Sequence, residues 1–318
     1  MKYTSLFAEH KKLKAKIVPF AGYQMPVTYK KIIEEYEAVR NNCGMFDVSH
    51  MGQLKITGRD SEIFLQKITL NNVIKLHNYE AQYSAICNFE GGLIDDVIIF
   101  KISKIEYIII VNASNKETVI AWMKKYNSLE DLNIKDMNQD YSLIALQGPQ
   151  SKTYINSIAN NAMDIKFYNL QKIQLLDEDV IISRTGYTGE LGYEILGTHD
   201  SIRKIWNYFI KNNVQPAGLA VRDVLRMEMK YCLYGNDINS KINPLEAGLS
   251  WIIDFSKTDF IGKDKLLDIK IKGYKQKLVG FIMLEKAIPR SKYSIHLDSN
   301  KIGSVTSGTF SPGLSCGI

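Results

Sequence analysis

Between residues 81 and 111 the chain carries three apolar, β-branched runs joined by short connections. The runs are Ala81 to Cys87, Leu93 to Lys101 and Ile105 to Val111. The joints are Asn88-Phe89-Glu90-Gly91-Gly92 and Ser103-Lys104. Joints of that length turn a strand back on itself, so the runs predict an antiparallel meander. Gln53 to Thr57 reads as a further strand, and residues 61–69 read as a helix. Ser114-Asn115-Lys116-Glu117 reads as a capping box opening another helix, with Val119, Trp122, Met123 and Tyr126 as its apolar stripe. Strands and helices in this order predict an α+β unit over 52–138.

The flanking sequence repeats the theme. Tyr29 to Asn42 is amphipathic, with Ile32, Ile33, Tyr36 and Val39 at helical spacing. Tyr141 to Leu146 reads as a strand that stops at Gln147-Gly148-Pro149, and Gln150 to Ala159 as a helix. Val180 to Arg184 and Tyr193 to Leu196 read as strands, Ile202 to Ile210 and Ala217 to Tyr231 as helices. From residue 277 the pattern shifts to short β runs: Lys277 to Met283, Tyr293 to Leu297 and Lys301 to Val305, the last two joined by a turn at Asp298-Ser299-Asn300.

Composition narrows the function classes. With 45% hydrophobic and 23% charged residues, the chain of 318 residues is expected to bury a core and to hold two or three domains. A net charge of +6 favours an acidic partner or anionic ligand but does not indicate a nucleic-acid binder. The densest basic run, His10-Lys11-Lys12-Leu13-Lys14, reads as a solvated face. The cysteines Cys43, Cys87, Cys232 and Cys316 are scattered without metal spacing, which fits a reducing compartment. The five histidines lie far apart and argue for no metal site. No apolar run reaches the roughly 20 residues that span a bilayer, and the first residues lack a signal peptide's apolar core.

Chemistry concentrates in three places. In Leu93-Ile94-Asp95-Asp96-Val97-Ile98-Ile99-Phe100 the two aspartates stand on opposite faces of an apolar strand. Aspartate is a poor strand former, and an unpaired carboxylate among apolar side chains is costly. Either a polar ligand compensates, or the carboxylates cap the Gly91-Gly92 turn or pair with lysine. Arg222 and Arg226 sit four apart on a helix, where they repel unless an anion lies between them or Asp223 and Glu228 neutralise them. Thr185-Gly186-Tyr187-Thr188-Gly189-Glu190-Leu191-Gly192-Tyr193-Glu194 is a glycine-rich turn without dinucleotide spacing. It is either only a tight turn or a site with Tyr187 as a flat wall and Glu194 as an acceptor for a heterocycle's N–H groups. Asp47, Ser49 and His50 hold the residue types of a hydrolase triad but lack a nucleophile elbow, and read as turn-stabilising.

These stretches resemble, in order and spacing, one family: the aminomethyltransferase, or T-protein, of the glycine cleavage system. Phe20 to Pro26, Gly44 to Gly52, Asn88 to Asp96, Gln147-Gly148-Pro149, Arg184 to Glu194, Leu233-Tyr234-Gly235 and Ser307 to Pro312 carry the resemblance, which covers essentially the whole chain. It implies a three-domain cloverleaf. A discontinuous folate-binding α+β domain takes 1–51 and 139–250, a second α+β domain takes 52–138, and a C-terminal β-barrel takes 277–318. It implies transfer of the one-carbon unit of an aminomethyl-dihydrolipoyl H-protein to tetrahydrofolate, with release of ammonia and with no metal, nucleic acid or membrane involved. Asp96 matches the catalytic aspartate, Glu194 the pterin-binding glutamate and Arg222 a ligand-contacting arginine. Tyr83, Asn112, Tyr187 and Tyr234 align with positions near the folate. The location implied is cytoplasmic in a bacterium, or the mitochondrial matrix in a eukaryote.

Departures from the family pattern are Gly218-Leu219-Ala220-Val221-Arg222-Asp223, Arg226-Met227-Glu228 and Tyr23 in place of a tryptophan. Family members also continue for a further β-unit beyond the Ser307–Pro312 motif, so an incomplete barrel with an unpaired edge, lacking a late folate-binding arginine, is expected. Two other readings stay open: another tetrahydrofolate-dependent demethylase of the same fold, and a non-enzymatic folate-binding protein.

Overall fold

The computed structural model describes residues 1–159 and 163–318. The meander is present, with Glu80–Cys87, Leu93–Ser103 and Glu106–Val111 as successive antiparallel neighbours. Gly52–Thr57 pairs with Glu106–Val111 on one side and Asn133–Asp136 on the other, completing a five-stranded sheet. One face packs Leu54, Ile56, Val97, Ile99 and Ile109 against the helices Ser61–Ile68 and Lys116–Tyr126 through Phe64, Leu65, Val119 and Met123. The register sets Asp96 opposite Ala85, and Tyr83 opposite Ile98, which in turn faces Ile110. Tyr83, Asp96 and Ile98 therefore share the other face.

A six-stranded sheet runs in the order Leu170–Leu175, Glu178–Ser183, Gly192–Thr198, Tyr141–Gln147, Gly44–Asp47 and Gln215–Pro216. Its far face buries Ile144, Leu146, Ile182 and Ile195 against Ile202, Ile205, Trp206 and Phe209 of the helix His199–Lys211. Its near face joins the first sheet in a shared core: Phe46, Leu143, Ala145 and Leu196 from one side meet Ile98, Phe100, Ile108 and Ile110 from the other. The helix Leu219–Glu228 closes that core with Val221, Val224 and Leu225. Its apolar residues point inward at helical spacing, which leaves Arg222 beside the seam between the sheets.

After the helix Lys263–Lys272 the C-terminal segment forms two hairpins: Ser294–Leu297 with Asn300–Ser304, and Phe310–Ser311 with Cys316–Gly317. A buried ion pair ties it to the rest. Arg226 Nη1 donates to Asp237 Oδ2 (2.6 Å) and Nη2 to Ser307 Oγ (2.8 Å), while Ser307 Oγ donates to Asp237 Oδ1 (2.8 Å). Among the described residues no helix is long and apolar enough to cross a membrane.

Several local expectations are corrected. The capping box is not formed: the helix starts at Lys116 behind a short 3-10 turn at Ala113–Asn115, and no side chain caps it. Asn115 instead donates to Ile94 O (2.8 Å) and Asp95 Oδ1 (3.0 Å), a stronger demand than a helix end makes. Lys277 to Met283 is not a strand. Its amides reach outward singly, Leu278 N to Glu246 O and Met283 N to Gly317 O. His10 is buried rather than part of a solvated face. It lies in the helix Phe7–Lys12 and bonds Asp47 Oδ2 (2.9 Å) and the Tyr29 hydroxyl (2.8 Å). Ile32 and Ile33 are exposed, so only Tyr36 and Val39 of that stripe enter the core.

Candidate active site

The paired aspartates stand where the first sheet meets the second. Tyr83 Oη donates to Asp96 Oδ2 (2.9 Å). The Asn112 side-chain amide donates to Asp96 Oδ1 (2.7 Å) and to Asp95 Oδ1 (2.8 Å), and its backbone N–H donates to Asp95 Oδ2 (2.9 Å). One amide thus bridges both carboxylates. Neither forms an ion pair with lysine or arginine among the described residues, so the lysine alternative fails. Burial pushes the Asp95 carboxyl well above the usual carboxylate range, and the charge of Asp96 pushes it further against the Asn115 and Asn112 donors. Burial raises Asp96 too, opposed by the bonds from Tyr83 and Asn112. The pair resists carrying two charges at once.

The glycine-rich turn forms the facing wall. A Cβ on Gly186 would lie 2.1 Å from Gln147 Oε1, and one on Gly192 2.2 Å from Gln147 Nε2. The glycines are there because the Gln147 side chain runs beneath the turn, held by Thr188 Oγ1 (2.8 Å). Tyr187 is thereby fixed with its hydroxyl bonded to the Cys232 carbonyl. The Arg222 guanidinium lies over the Tyr187 ring, 4.5 Å from its centroid, a cation–π contact. Glu194 takes a hydrogen bond from Thr185, which in turn contacts Ser183 Oγ (2.7 Å). Burial raises the Glu194 carboxyl, while Thr185 and the charge of Arg222 work against it. Burial lowers Arg222, and Tyr187 and Glu194 oppose that.

The two arginines of this helix part company. Arg226 is spent on Asp223 (2.8 Å), Asp237 and Ser307, and Glu228 pairs with Arg40 (2.5 Å) rather than with Arg226. Arg222 makes no ion pair or side-chain hydrogen bond among the described residues. A desolvated guanidinium with free donors is a ready anchor for an electron-rich ligand group. Tyr234 lies across the cleft, but its hydroxyl is used by the Leu93 carbonyl (3.0 Å), so only its ring is offered. The triad types do not assemble. Asp47 accepts from Thr4, His10 and the Ser49 backbone, and Ser49 Oγ donates to Leu143 O.

Sequence reasoning missed Asn115, Thr185, Tyr231 and Trp251. Tyr231 stacks on Tyr187 (5.7 Å between centroids) and Trp251 on Tyr83 (5.7 Å). Tyr231 lies past the end of the helix, which stops at Glu228, and Trp251 in a 3-10 turn at Ser250–Ile252, so no repeating pattern flagged either ring.

Comparison with known proteins identifies the family. Residues 6–257 match the GCVT N-terminal domain, and residues 276–318 match the glycine cleavage T-protein C-terminal barrel domain. The chain belongs to the glycine cleavage T-protein family. An aminomethyltransferase of Halothermothrix orenii is 45% identical over 323 residues, covering 100% of this chain and 90% of that protein. One from Thermosipho melanesiensis is 45% identical over 320 residues, covering 100% and 88%. The crystal structure of glycine cleavage system aminomethyltransferase T from Bartonella henselae superposes with a TM-score of 0.94 at 30% identity, covering 99% of this chain and 88% of that one. The chain is accordingly an enzyme of the aminomethyltransferase class, with the mixed α+β fold expected.

Proposed function

We propose that this chain transfers the one-carbon unit of an aminomethyl-dihydrolipoyl carrier protein to tetrahydrofolate, giving methylene-tetrahydrofolate and ammonia. The observation that carries the reading is the convergence of an anchored acid and an unspent base-side anchor. Asp96 is gripped by Tyr83 and Asn112, and Arg222 stands over Tyr187 with its donors free, facing the side of Glu194. Glu194 accepts N–H groups of the pterin, Arg222 donates to its electron-rich edge, and the rings of Tyr187, Tyr83 and Tyr234 wall it. Asp96, a buried acid with a raised proton affinity, holds and polarises the folate nitrogen that attacks the aminomethyl carbon. Asn112 keeps Asp96 aimed by sharing its amide with Asp95. A positively charged chain suits an acidic carrier.

With this goes a division into a folate-binding domain of 1–51 and 139–250, a second domain of 52–138 and a C-terminal barrel module of 277–318. The same reading expects the protein inside the cell, in the cytoplasm if the source is bacterial. The test is an assay of ammonia and methylene-tetrahydrofolate with an aminomethylated lipoyl carrier. Turnover that depends on both substrates supports the reading. Demethylation of a methylated amine with no ammonia released from the carrier would replace it.

A further inference from the structure

Away from the Asp96 cleft, a chain of hydroxyls ends on an imidazole. The His199 Nε2 lies 2.8 Å from the Gln139 carbonyl oxygen. A carbonyl only accepts, so Nε2 carries the proton and Nδ1 of the neutral ring is an acceptor. Ser142 Oγ, 2.8 Å from Nδ1, therefore donates to it. With that proton committed, Ser142 Oγ accepts from Ser5 Oγ at 2.6 Å. Every donor direction is fixed: Ser5 to Ser142, Ser142 to His199, His199 to Gln139. The order is that of a nucleophile, a relay, a general base and the group that orients the base.

The fold holds both ends of this chain. Ser142 stands in the strand Tyr141–Gln147 opposite Gly197, and the partner strand runs through Thr198 into His199, the first residue of the helix His199–Lys211. The His199 backbone N–H donates to Asp140 O (3.2 Å), so the ring is fixed at its root as well as at Nε2. At the other end Lys2 N donates to Gly22 O (2.9 Å), Gln24 N donates to Lys2 O (3.0 Å), and Thr4 Oγ1 donates to Asp47 Oδ2 (2.6 Å), which pins the backbone on the near side of Ser5. Ser142 is buried, while Ser5 and His199 are half-buried, so the relay is dry and its outer hydroxyl can be reached. Ser5, Ser142 and His199 line one cleft of about 450 Å³ together with Lys2, Tyr23 and Lys116, a size that suits a small ligand. None of the folate-site residues lines it. Lys116 is spent on Asp136 (2.6 Å), but Lys2 forms no ion pair among the described residues and leaves a positive charge free in the cleft. A mere tie between the N-terminal segment and the sheet is satisfied by Ser5 and Ser142 alone. The imidazole adds a proton acceptor that such a tie does not use.

We propose that this cleft is a second, hydrolytic site, with Ser5 as nucleophile toward small acyl esters. Ser5 Oγ bonds to the ester's carbonyl carbon as its proton passes to Ser142 and the Ser142 proton passes to His199 Nδ1. The charge of Lys2 is available to the oxyanion that forms. The bond to the alcohol then breaks, and the imidazolium proton returns through Ser142 to the leaving oxygen. Water repeats the sequence on the acyl-serine and releases the acid, so water is the only co-reactant. This second activity is independent of transfer to tetrahydrofolate. The test uses the full chain with a fluorophosphonate probe, the adduct being mapped by mass spectrometry, and with p-nitrophenyl acetate as substrate. The expected result is an adduct on Ser5 in the wild-type chain. Ser5→Ala, Ser142→Ala and His199→Gln are each expected to lower ester hydrolysis by about a hundredfold, the usual worth of an activated nucleophile and its base. A wild-type chain with no adduct on Ser5, or hydrolysis that stays within about twofold in Ser5→Ala, overturns the proposal. Where a variant fails to fold, the wild-type adduct decides alone.

Discussion

Asp237→Ala tests how the C-terminal segment is tied to the cleft. Asp237 and Arg226 have side chains 5% and 3% exposed, so the pair is desolvated on both sides. The carboxylate accepts from Arg226 Nη1, from Leu233 N (2.9 Å) and from the hydroxyls of Thr306 (2.5 Å) and Ser307. Its removal leaves the guanidinium with only the half-exposed Asp223 as counter-charge and orphans the Leu233 amide. Breaking a buried pair from one side costs about 3–5 kcal/mol. Replacing both partners with apolar groups of similar size is close to neutral, so Arg226→Met with Asp237→Leu is expected to recover most of the loss. The assay is urea unfolding together with hydrogen exchange. Amides of 306–318 lose protection in Asp237→Ala before those of Leu93–Ser103 do. The loop of Tyr234 hangs on the same carboxylate through Leu233, so tetrahydrofolate affinity falls as well. A loss below about 1 kcal/mol, or a double variant as weak as the single one, refutes the reasoning.

Other outcomes follow from the same geometry. Asp96→Asn lowers turnover by at least about tenfold while the fold persists; comparable turnover in a steady-state assay removes Asp96 from the mechanism. Arg222→Ala weakens tetrahydrofolate binding by calorimetry more than it disturbs folding, and a collapsed melting temperature with unchanged affinity makes Arg222 structural instead. Asp47 is held at about 2: burial pushes it up, but the bond and charge of His10, with Thr4 and Ser49, outweigh burial. A folded-state value below the unfolded one gives stability that is present above the ordinary carboxylate range and lost as pH falls toward 2, about 2 kcal/mol in all. Asp47→Asn flattens that acid limb in a series of melting curves, and an unchanged slope speaks against the assignment.

How much the sequence disclosed depended on the range of the forces involved. The meander was legible because strand alternation and short joints are local, and Asp95-Asp96 stood out because charge inside an apolar strand is costly wherever it occurs. The C-terminal run Lys277 to Met283 misled because its apolar residues look like a strand, yet its amides find single distant partners instead of a ladder. The capping box failed for a similar reason. Asn115 is claimed by Asp95, twenty residues earlier, which no local rule registers. The separation of Arg222 from Arg226 was equally hidden, since Asp237 and Ser307 reach Arg226 from other segments. Trp251 lies in a short 3-10 turn at Ser250–Ile252 and Tyr231 just beyond the helix Leu219–Glu228, where ring stacking is settled only by the folded chain.

The turn above Gln147 has an evolutionary corollary. Its glycines answer to a side chain on another strand, not to the turn's own curvature at those two places. Positions 147, 186 and 192 are therefore expected to change together. Shortening the glutamine opens the space that now forbids a side chain at either glycine, and the ring of Tyr187 then loses the support that fixes it.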